Sequence, residues 1–231
     1  MTRFLARPLR AVVFDLDGTL VDSAPDIHAA LNATLAQAGR PGVDLATATR
    51  FVGDGARQLV ARGFAATGSE IDGADLDRHY RAFLDAYAAD AVTLTRPYRG
   101  ASQTLLALKA EGRALGVCTN KPDGLTMTVL TRLGLAPHFE AIVGPDRVAR
   151  KKPDAAHLLA TLRAMGAVPE EAVMVGDSAN DVAVARAAGT AAIAVSFGYA
   201  QGDPAALGAD ALVSSLAELP AAIARLELGE G

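Results

Sequence analysis

The sequence predicts an α/β protein, a parallel sheet layered with helices and interrupted near its start by an inserted helical unit. Three observations predict it. From about residue 97 onward, short apolar runs of strand length alternate with helical patterns. A glycine follows four successive helical patterns, at Gly112, Gly134, Gly166 and Gly189, where a helix stop signal belongs. Between the first apolar run and residue 97 the texture is helical throughout.

Ala11-Val12-Val13-Phe14 begins the first strand, read over 11–16, as a short apolar run of the buried kind. A helical pattern then runs from Pro25 to Ala38 and stops at Gly39-Arg40-Pro41-Gly42. Two more follow, Ala56 to Ala66 and Ala74 to Ala89, with no strand among the three. This divides the chain into a core, residues 1–20 and 95–231, and a helical cap, residues 21–94. In the core, helices at 100–111, 123–133, 154–165 and 179–188 alternate with strands at 114–118, 141–143, 171–175 and 191–195. After Tyr199 come a loop, a short strand at 211–213 and a last helix near 216–226. Such alternation implies parallel strands joined by right-handed crossovers.

Composition narrows the function classes. The chain has 231 residues, enough for one large domain or two small ones, and is 51% hydrophobic and 21% charged, as soluble globular proteins are. Its net charge is −4 and no Lys/Arg block occurs, which argues against a nucleic-acid partner. One cysteine, Cys118, excludes an intramolecular disulfide and fits a reducing, cytoplasmic location. It lies within a predicted strand and reads as a small buried apolar residue. Arg3, Arg7 and Arg10 before an apolar stretch superficially resemble a secretory leader, but Asp15 cuts that stretch short. No run approaches the roughly 18 apolar residues of a membrane span.

The chemistry lies at the strand ends. Asp15-Leu16-Asp17-Gly18-Thr19 puts two carboxylates where the first strand stops. A helix cap or turn explains one of them; two like charges this close call for a cation or a catalytic duty. Thr119-Asn120 follows strand 114–118, Lys151-Lys152-Pro153 precedes helix 154–165, and Gly176-Asp177-Ser178-Ala179-Asn180-Asp181 follows strand 171–175. Taken singly, Thr119-Asn120 and Asp177-Ser178 read as helix caps and Lys152 as a solvated lysine. Taken together they fall on the one sheet edge where open α/β sheets bind ligands. Four carboxylates without His or Cys suit Mg²⁺. A hydroxyl, an ammonium and backbone N–H groups suit a phosphate. The combination points to phosphoryl transfer through an aspartyl phosphate. His28, His79, His138 and His157 have no metal-ligand spacing and receive no ligand role.

These four motifs, in this order and over nearly the whole chain, resemble the haloacid dehalogenase (HAD) superfamily of hydrolases. The resemblance implies a Rossmann-like core carrying a C1-type helical cap. It also implies Asp15 as nucleophile and Asp17 as general acid/base, with the Asp17 backbone carbonyl on the metal. Asp177 and Asp181 then complete the Mg²⁺ site, Asp181 through water or by orienting Lys152. Thr119 and Lys152 bind the phosphoryl oxygens, helped by Asn120 and the N–H groups at 16–18. Further stretches resemble the phosphoglycolate phosphatase group within it: Asp22-Ser23, Phe51-Val52-Gly53-Asp54-Gly55, Leu59-Val60-Ala61-Arg62, Pro97-Tyr98-Arg99-Gly100, Lys151-Lys152-Pro153-Asp154 and Phe197-Gly198-Tyr199. The expected substrate is a small phosphorylated metabolite, 2-phosphoglycolate first, whose carboxylate Arg57, Arg62 or the N–H groups of 53–55 would meet; a solvated role for both arginines is the alternative. The competing functions are a sugar-phosphate, nucleotide or pyrophosphate phosphatase and a phosphomutase. A dehalogenase would lack the acid at Asp17, and a signalling receiver would not carry a cap. The expected state is a monomer or homodimer.

Overall fold

A computed structural model describes residues 8–229, so Arg3 and Arg7 lie outside the described residues. Six strands form one parallel sheet: β1 (Ala11–Phe14), β4 (Ala114–Cys118), β5 (Ala141–Val143), β6 (Ala172–Gly176), β7 (Ala191–Val195) and β8 (Ala211–Val213), in the order β5-β4-β1-β6-β7-β8. The chain runs outward from β1 through β4 to β5, then returns to build β6, β7 and β8 on the other side. The order therefore reverses beside β1, where doubly wound sheets open a crevice at their carboxyl ends. Phe14 pairs with Val117 on one side and Val175 on the other, so β1, β4 and β6 end level.

Alternate strand residues feed two layers. Val12, Phe14, Leu115, Val117, Val173 and Val175 pack on the face covered by α5 (Ala101–Ala110), α6 (Asp123–Arg132) and α9 (Leu219–Glu227). Ala11, Val13, Cys118 and Met174 pack on the other, against α7 (Ala155–Met165) and α8 (Ala179–Ala188). Both faces are covered, which is why the strands read as continuous apolar runs rather than alternating ones. Cys118 is buried as expected, and burial pushes its thiol up to about 12.

Four helices fill the insert: α1 (Ala24–Gln37), α2 (Leu45–Phe51), α3 (Ala56–Ala66) and α4 (Gly73–Asp90). Leu31, Leu35, Val60, Phe64 and Phe83 form their shared apolar centre. Asp26, in the first turn of α1, is buried and accepts from the Leu94 and Thr95 N–H groups at 2.8–3.0 Å and from the Thr95 hydroxyl at 2.7 Å. That carboxylate binds the segment leaving the insert to the helix entering it, and it sits at a helix N-terminus, where negative charge is favoured.

Three expectations need correction. The first strand stops at Phe14, not residue 16: the Asp15 N–H still bonds the Val175 carbonyl at 2.9 Å, but the Leu16 N–H turns to the Asp15 carboxylate at 2.7 Å. The stretch before residue 97 is not wholly helical. Two-residue strands β2 (Val21–Asp22) and β3 (Arg96–Pro97) pair antiparallel where the chain enters and leaves the insert. Helix α2 was not expected; it is a single capped unit whose Asp44 carboxylate accepts from the Thr47 N–H at 2.6 Å. At seven residues it is too short for periodicity to reveal.

Candidate active site

The level ends of β1, β4 and β6 bring the carboxylates together. Asp15, at the end of β1, Asp177, just past β6, and Asp181, in the first turn of α8, each offer an oxygen within 4.8 Å of the others. All three are buried. Burial, reinforced by Asp181 and Asp15, raises the Asp177 carboxyl to about 8. Burial also raises Asp15 to about 6, against the pull of Lys152. Carboxylates that resist ionising together, with only oxygen donors between them, fit a hard divalent cation.

One cation of the protein's own enters the cluster. Lys152 Nζ lies 2.9 Å from Asp15 Oδ1 and 2.7 Å from Asp181 Oδ1. Burial opposes its charge, but Asp15 and Asp181 outweigh burial and hold its pKa above the ordinary lysine value. Asp181 Oδ2 accepts from the Ser178 hydroxyl at 2.6 Å and N–H at 3.0 Å, closing a capping box at the start of α8. One side chain thus caps a helix and orients the lysine.

Backbone shape fixes the rest. Gly18 has φ +84°, and a Cβ there would collide with the Asp177 carboxylate. Asp177 accepts from the Thr19 hydroxyl at 3.0 Å and the Tyr199 N–H at 2.6 Å. Asp17 turns the other way, away from the cluster. Its Oδ1 accepts from the Ser23 hydroxyl at 2.6 Å and lies 3.1 Å from Lys121 Nζ. Asp15, Asp17 and Thr119 border a cavity roofed by Val52, Gly53, Leu59 and Phe83 of the insert. It is small, about 40 Å³.

The family model described as haloacid dehalogenase-like hydrolase matches residues 12–195, most of the chain and every stretch from Asp15 to Asp181 that places a carboxylate, Thr119 or Lys152 at the sheet edge. The chain belongs to this family. Phosphoglycolate phosphatase of Chromobacterium violaceum is 46% identical over 212 residues, covering 91% of this chain and 95% of that protein. Phosphoglycolate phosphatase of Rhodospirillum rubrum is 45% identical over 214 residues, covering 91% and 89%. A crystal structure described as a predicted phosphoglycolate phosphatase from Haemophilus somnus superposes with a TM-score of 0.88 at 29% identity, covering 93% and 97%. The chain is thus a hydrolase of this family, and phosphoric monoester hydrolysis is the activity its relatives carry in their names.

Within this hydrolase, Asp15, Asp17, Thr119, Lys152, Asp177 and Asp181 converge on one sheet edge. Three expected residues make further contacts. Asn120 borders the cavity, and its amide N–H donors go to the Gly53 carbonyl at 2.9 Å and the Lys152 carbonyl at 3.1 Å, joining insert to core. Arg57 forks onto Asp77 at 2.9 and 3.2 Å on the exposed face of the insert. Arg62 pairs with Asp54 and borders a different surface hollow. Both arginines satisfy their charge locally, so neither borders the cavity.

Several site residues were not singled out from the sequence. His157 is buried and uncharged: burial and Lys152 push it down to about 4. Its Nδ1 accepts from the Lys152 N–H at 3.1 Å, which leaves Nε2–H to donate to the Val143 carbonyl at 3.1 Å. It thereby fixes the backbone that carries Lys152. Lys121 is buried between Asp17 and Tyr87 of α4. Its one sequence signal is position, directly after Thr119-Asn120 and before Pro122, against the strong prior that lysines are exposed. Among the described residues, no helix is long and apolar enough to cross a membrane.

Proposed function

We propose that this hydrolase is a Mg²⁺-dependent phosphatase that cleaves 2-phosphoglycolate through an aspartyl phosphate on Asp15. The observation that carries the reading is the division of labour between two carboxylates two residues apart. Asp15 is held by Lys152 beside the cluster that suits a cation, whereas Asp17 faces the cavity away from it. A nucleophile and a proton donor are both needed, and one carboxylate cannot serve as both in one step.

Asp15 attacks phosphorus in line; its new O–P bond forms as the bond to the leaving oxygen breaks. Asp17 gives that oxygen its proton. Water then attacks the phosphorus of the aspartyl phosphate, Asp17 takes the proton from that water, and Asp15 is released with inorganic phosphate. Lys152 and Thr119 bind the phosphoryl oxygens, where negative charge must be stabilised. Asp15, Asp177 and the Asp17 carbonyl, with Asp181 behind them, would hold Mg²⁺, which when bound would offset the repulsion between anionic phosphate and anionic nucleophile.

Residues 21–94 act as a cap on a core formed by residues 1–20 and 95–231, closing over the substrate and excluding water from the first step. The small cavity under the insert and the names of the relatives support a two-carbon substrate. The test is kcat/KM for 2-phosphoglycolate beside sugar phosphates, nucleotides and pyrophosphate, with Mg²⁺ present. Phosphoglycolate should rank first. A sugar phosphate ahead by about tenfold, roughly 1.4 kcal/mol of transition-state discrimination, would give the site to another metabolite.

A further inference from the structure

A carboxylate-bearing leaving group enclosed beneath the insert must meet a cation or hydrogen-bond donors, because an unpaired buried carboxylate is very costly. The cations near this place are mostly committed elsewhere. Arg57 is held by Asp77 and Arg62 by Asp54, both away from the cavity. Lys151 donates to the Asp54 carbonyl, and Lys152 lies between Asp15 and Asp181 at the phosphoryl end. Among the described residues, Lys121 is the one cationic side chain bordering the cavity.

Its setting is that of a built site. Lys121 is 5% exposed. Its Nζ lies 3.1 and 3.2 Å from the two Asp17 oxygens and 2.6 Å from the Tyr87 hydroxyl. Burial opposes its charge, yet Asp17 and Tyr87 outweigh burial. Around it the cavity wall is apolar: Ile27, Leu59, Phe83 and Leu125. The three N–H donors of the ammonium already face three acceptors; once Asp17 carries the proton it gives the leaving oxygen, its protonated oxygen no longer needs the ammonium and one N–H is freed for a substrate carboxylate. Asp17, the proton donor to the leaving oxygen, is already its neighbour, so an anionic group a bond or two beyond that oxygen falls within the same reach. The core supplies the ammonium and the insert supplies the Tyr87 hydroxyl that steadies it, so the pairing is complete only with the insert in place over the sheet.

We propose that Lys121 is the specificity-determining residue of this site: it binds the carboxylate of the leaving group and thereby selects phosphate esters of short hydroxy acids. The inference rests on the phosphatase reading above and adds to it the residue that recognises the substrate.

The test compares kcat/KM for 2-phosphoglycolate with that for 2-hydroxyethyl phosphate, an ester of similar size whose leaving group is uncharged, in the Mg²⁺-loaded enzyme. The wild type should prefer phosphoglycolate by about 100-fold, as sites with a dedicated polar partner do. Lys121→Met and Lys121→Gln slow both esters, since Asp17 loses its neighbour, but they should bring the preference down to about threefold or less; Lys121→Arg should keep most of it. A preference unchanged in the Met and Gln variants overturns the inference and passes recognition to the N–H groups at the start of α3. A wild type with no preference overturns the substrate reading itself, and this inference with it. Should neither variant fold, wild-type inhibition decides: glycolate should inhibit about tenfold more tightly than glycolamide, and equal inhibition overturns the proposal.

Discussion

The sheet edge and the insert that roofs it are held in place in opposite ways. At the sheet edge Asp15, Asp177, Asp181 and Lys152 are all nearly inaccessible, and each charge is braced by another charge or by backbone. Apart from the buried Lys121–Tyr87 contact, the roof meets the core mainly through polar groups at the rim of the loop at Gly53-Asp54. Asn120 and Asn180 donate to the loop at Gly53-Asp54, Asn180 reaching Asp54 Oδ1 at 2.7 Å, and Lys151 caps the Asp54 carbonyl. Buried paired charges are costly to rearrange, whereas exposed polar contacts exchange readily with water. The floor is therefore the harder of the two to rearrange. In the function proposed above, chemistry belongs to the floor and choice of substrate to the seam, where Lys121 of the core meets Tyr87 of the insert.

The largest effect that can break this contrast is at the floor. Asp15→Asn should lower turnover by about 10⁴-fold or more while the far-UV CD spectrum stays native, since the covalent route is lost and the packing is not. Near-normal turnover in a folded Asp15→Asn protein would remove the nucleophile. Asp17→Asn should cost about 10²- to 10⁴-fold on alkyl esters and less on aryl phosphates, whose leaving groups need less proton donation; equal losses on both would remove Asp17 as the acid.

The second effect sharpens the contrast through pH. Asp15 and Asp177 are raised to about 6 and about 8 in the folded, metal-free chain, against ordinary values of 3.8. Folding then favours the protonated forms. Their contribution to stability is fully present below the unfolded value and is lost as pH rises through the folded ones. Metal-free protein should thus melt at a falling temperature from pH 5 to about 8, and the Tm gain on adding Mg²⁺ should widen over the same interval. A Mg²⁺ gain independent of pH, read by differential scanning fluorimetry, would separate the cation from these carboxylates.

Smaller effects belong to the roof. Asp54→Ala removes the acceptor of both Arg62 and Asn180, and should raise KM by about tenfold with little loss of kcat. Arg57→Ala should change kcat/KM by less than about twofold, because its pair with Asp77 is exposed. A larger loss for Arg57→Ala than for Asp54→Ala would place the substrate on the outer face of the insert.

The same contrast explains what could be read from the sequence. Strand ends in a parallel sheet share an edge, so Asp15, Asp17, Thr119 and Asp177 could be placed together before any coordinates. Buried strands and glycine stops are local signals, and they located the sheet strands and their helices closely, apart from the end of β1. The roof residues gave no such signal. Whether Arg57 meets Asp77 or a substrate depends on how α3 packs on α4, which no local pattern encodes. Lys121 and His157 look like an ordinary surface lysine and an ordinary helix residue until the insert and β5 are packed against them. Asp26 reads as a first-turn acid of α1, and only the return of the chain at Thr95 makes it a closing contact.

Tyr199 has a further consequence. Its amide holds the Asp177 carboxylate, and its hydroxyl, at the far end of the ring, accepts from the Ser23 and Ala24 N–H groups at 2.7 and 2.9 Å while donating to Asp22 at 2.7 Å. One rigid ring thus spans the start of α1 and the Asp177 carboxylate. The two grips are unequal: the amide is part of the main chain, whereas the phenol is attached through rotatable bonds. Were the proposed cap to open by a swing of α1 away from the sheet, the phenol end would let go while the amide end stayed on Asp177. Tyr199 would then act as a clutch, sparing the carboxylates from reassembly at each turnover.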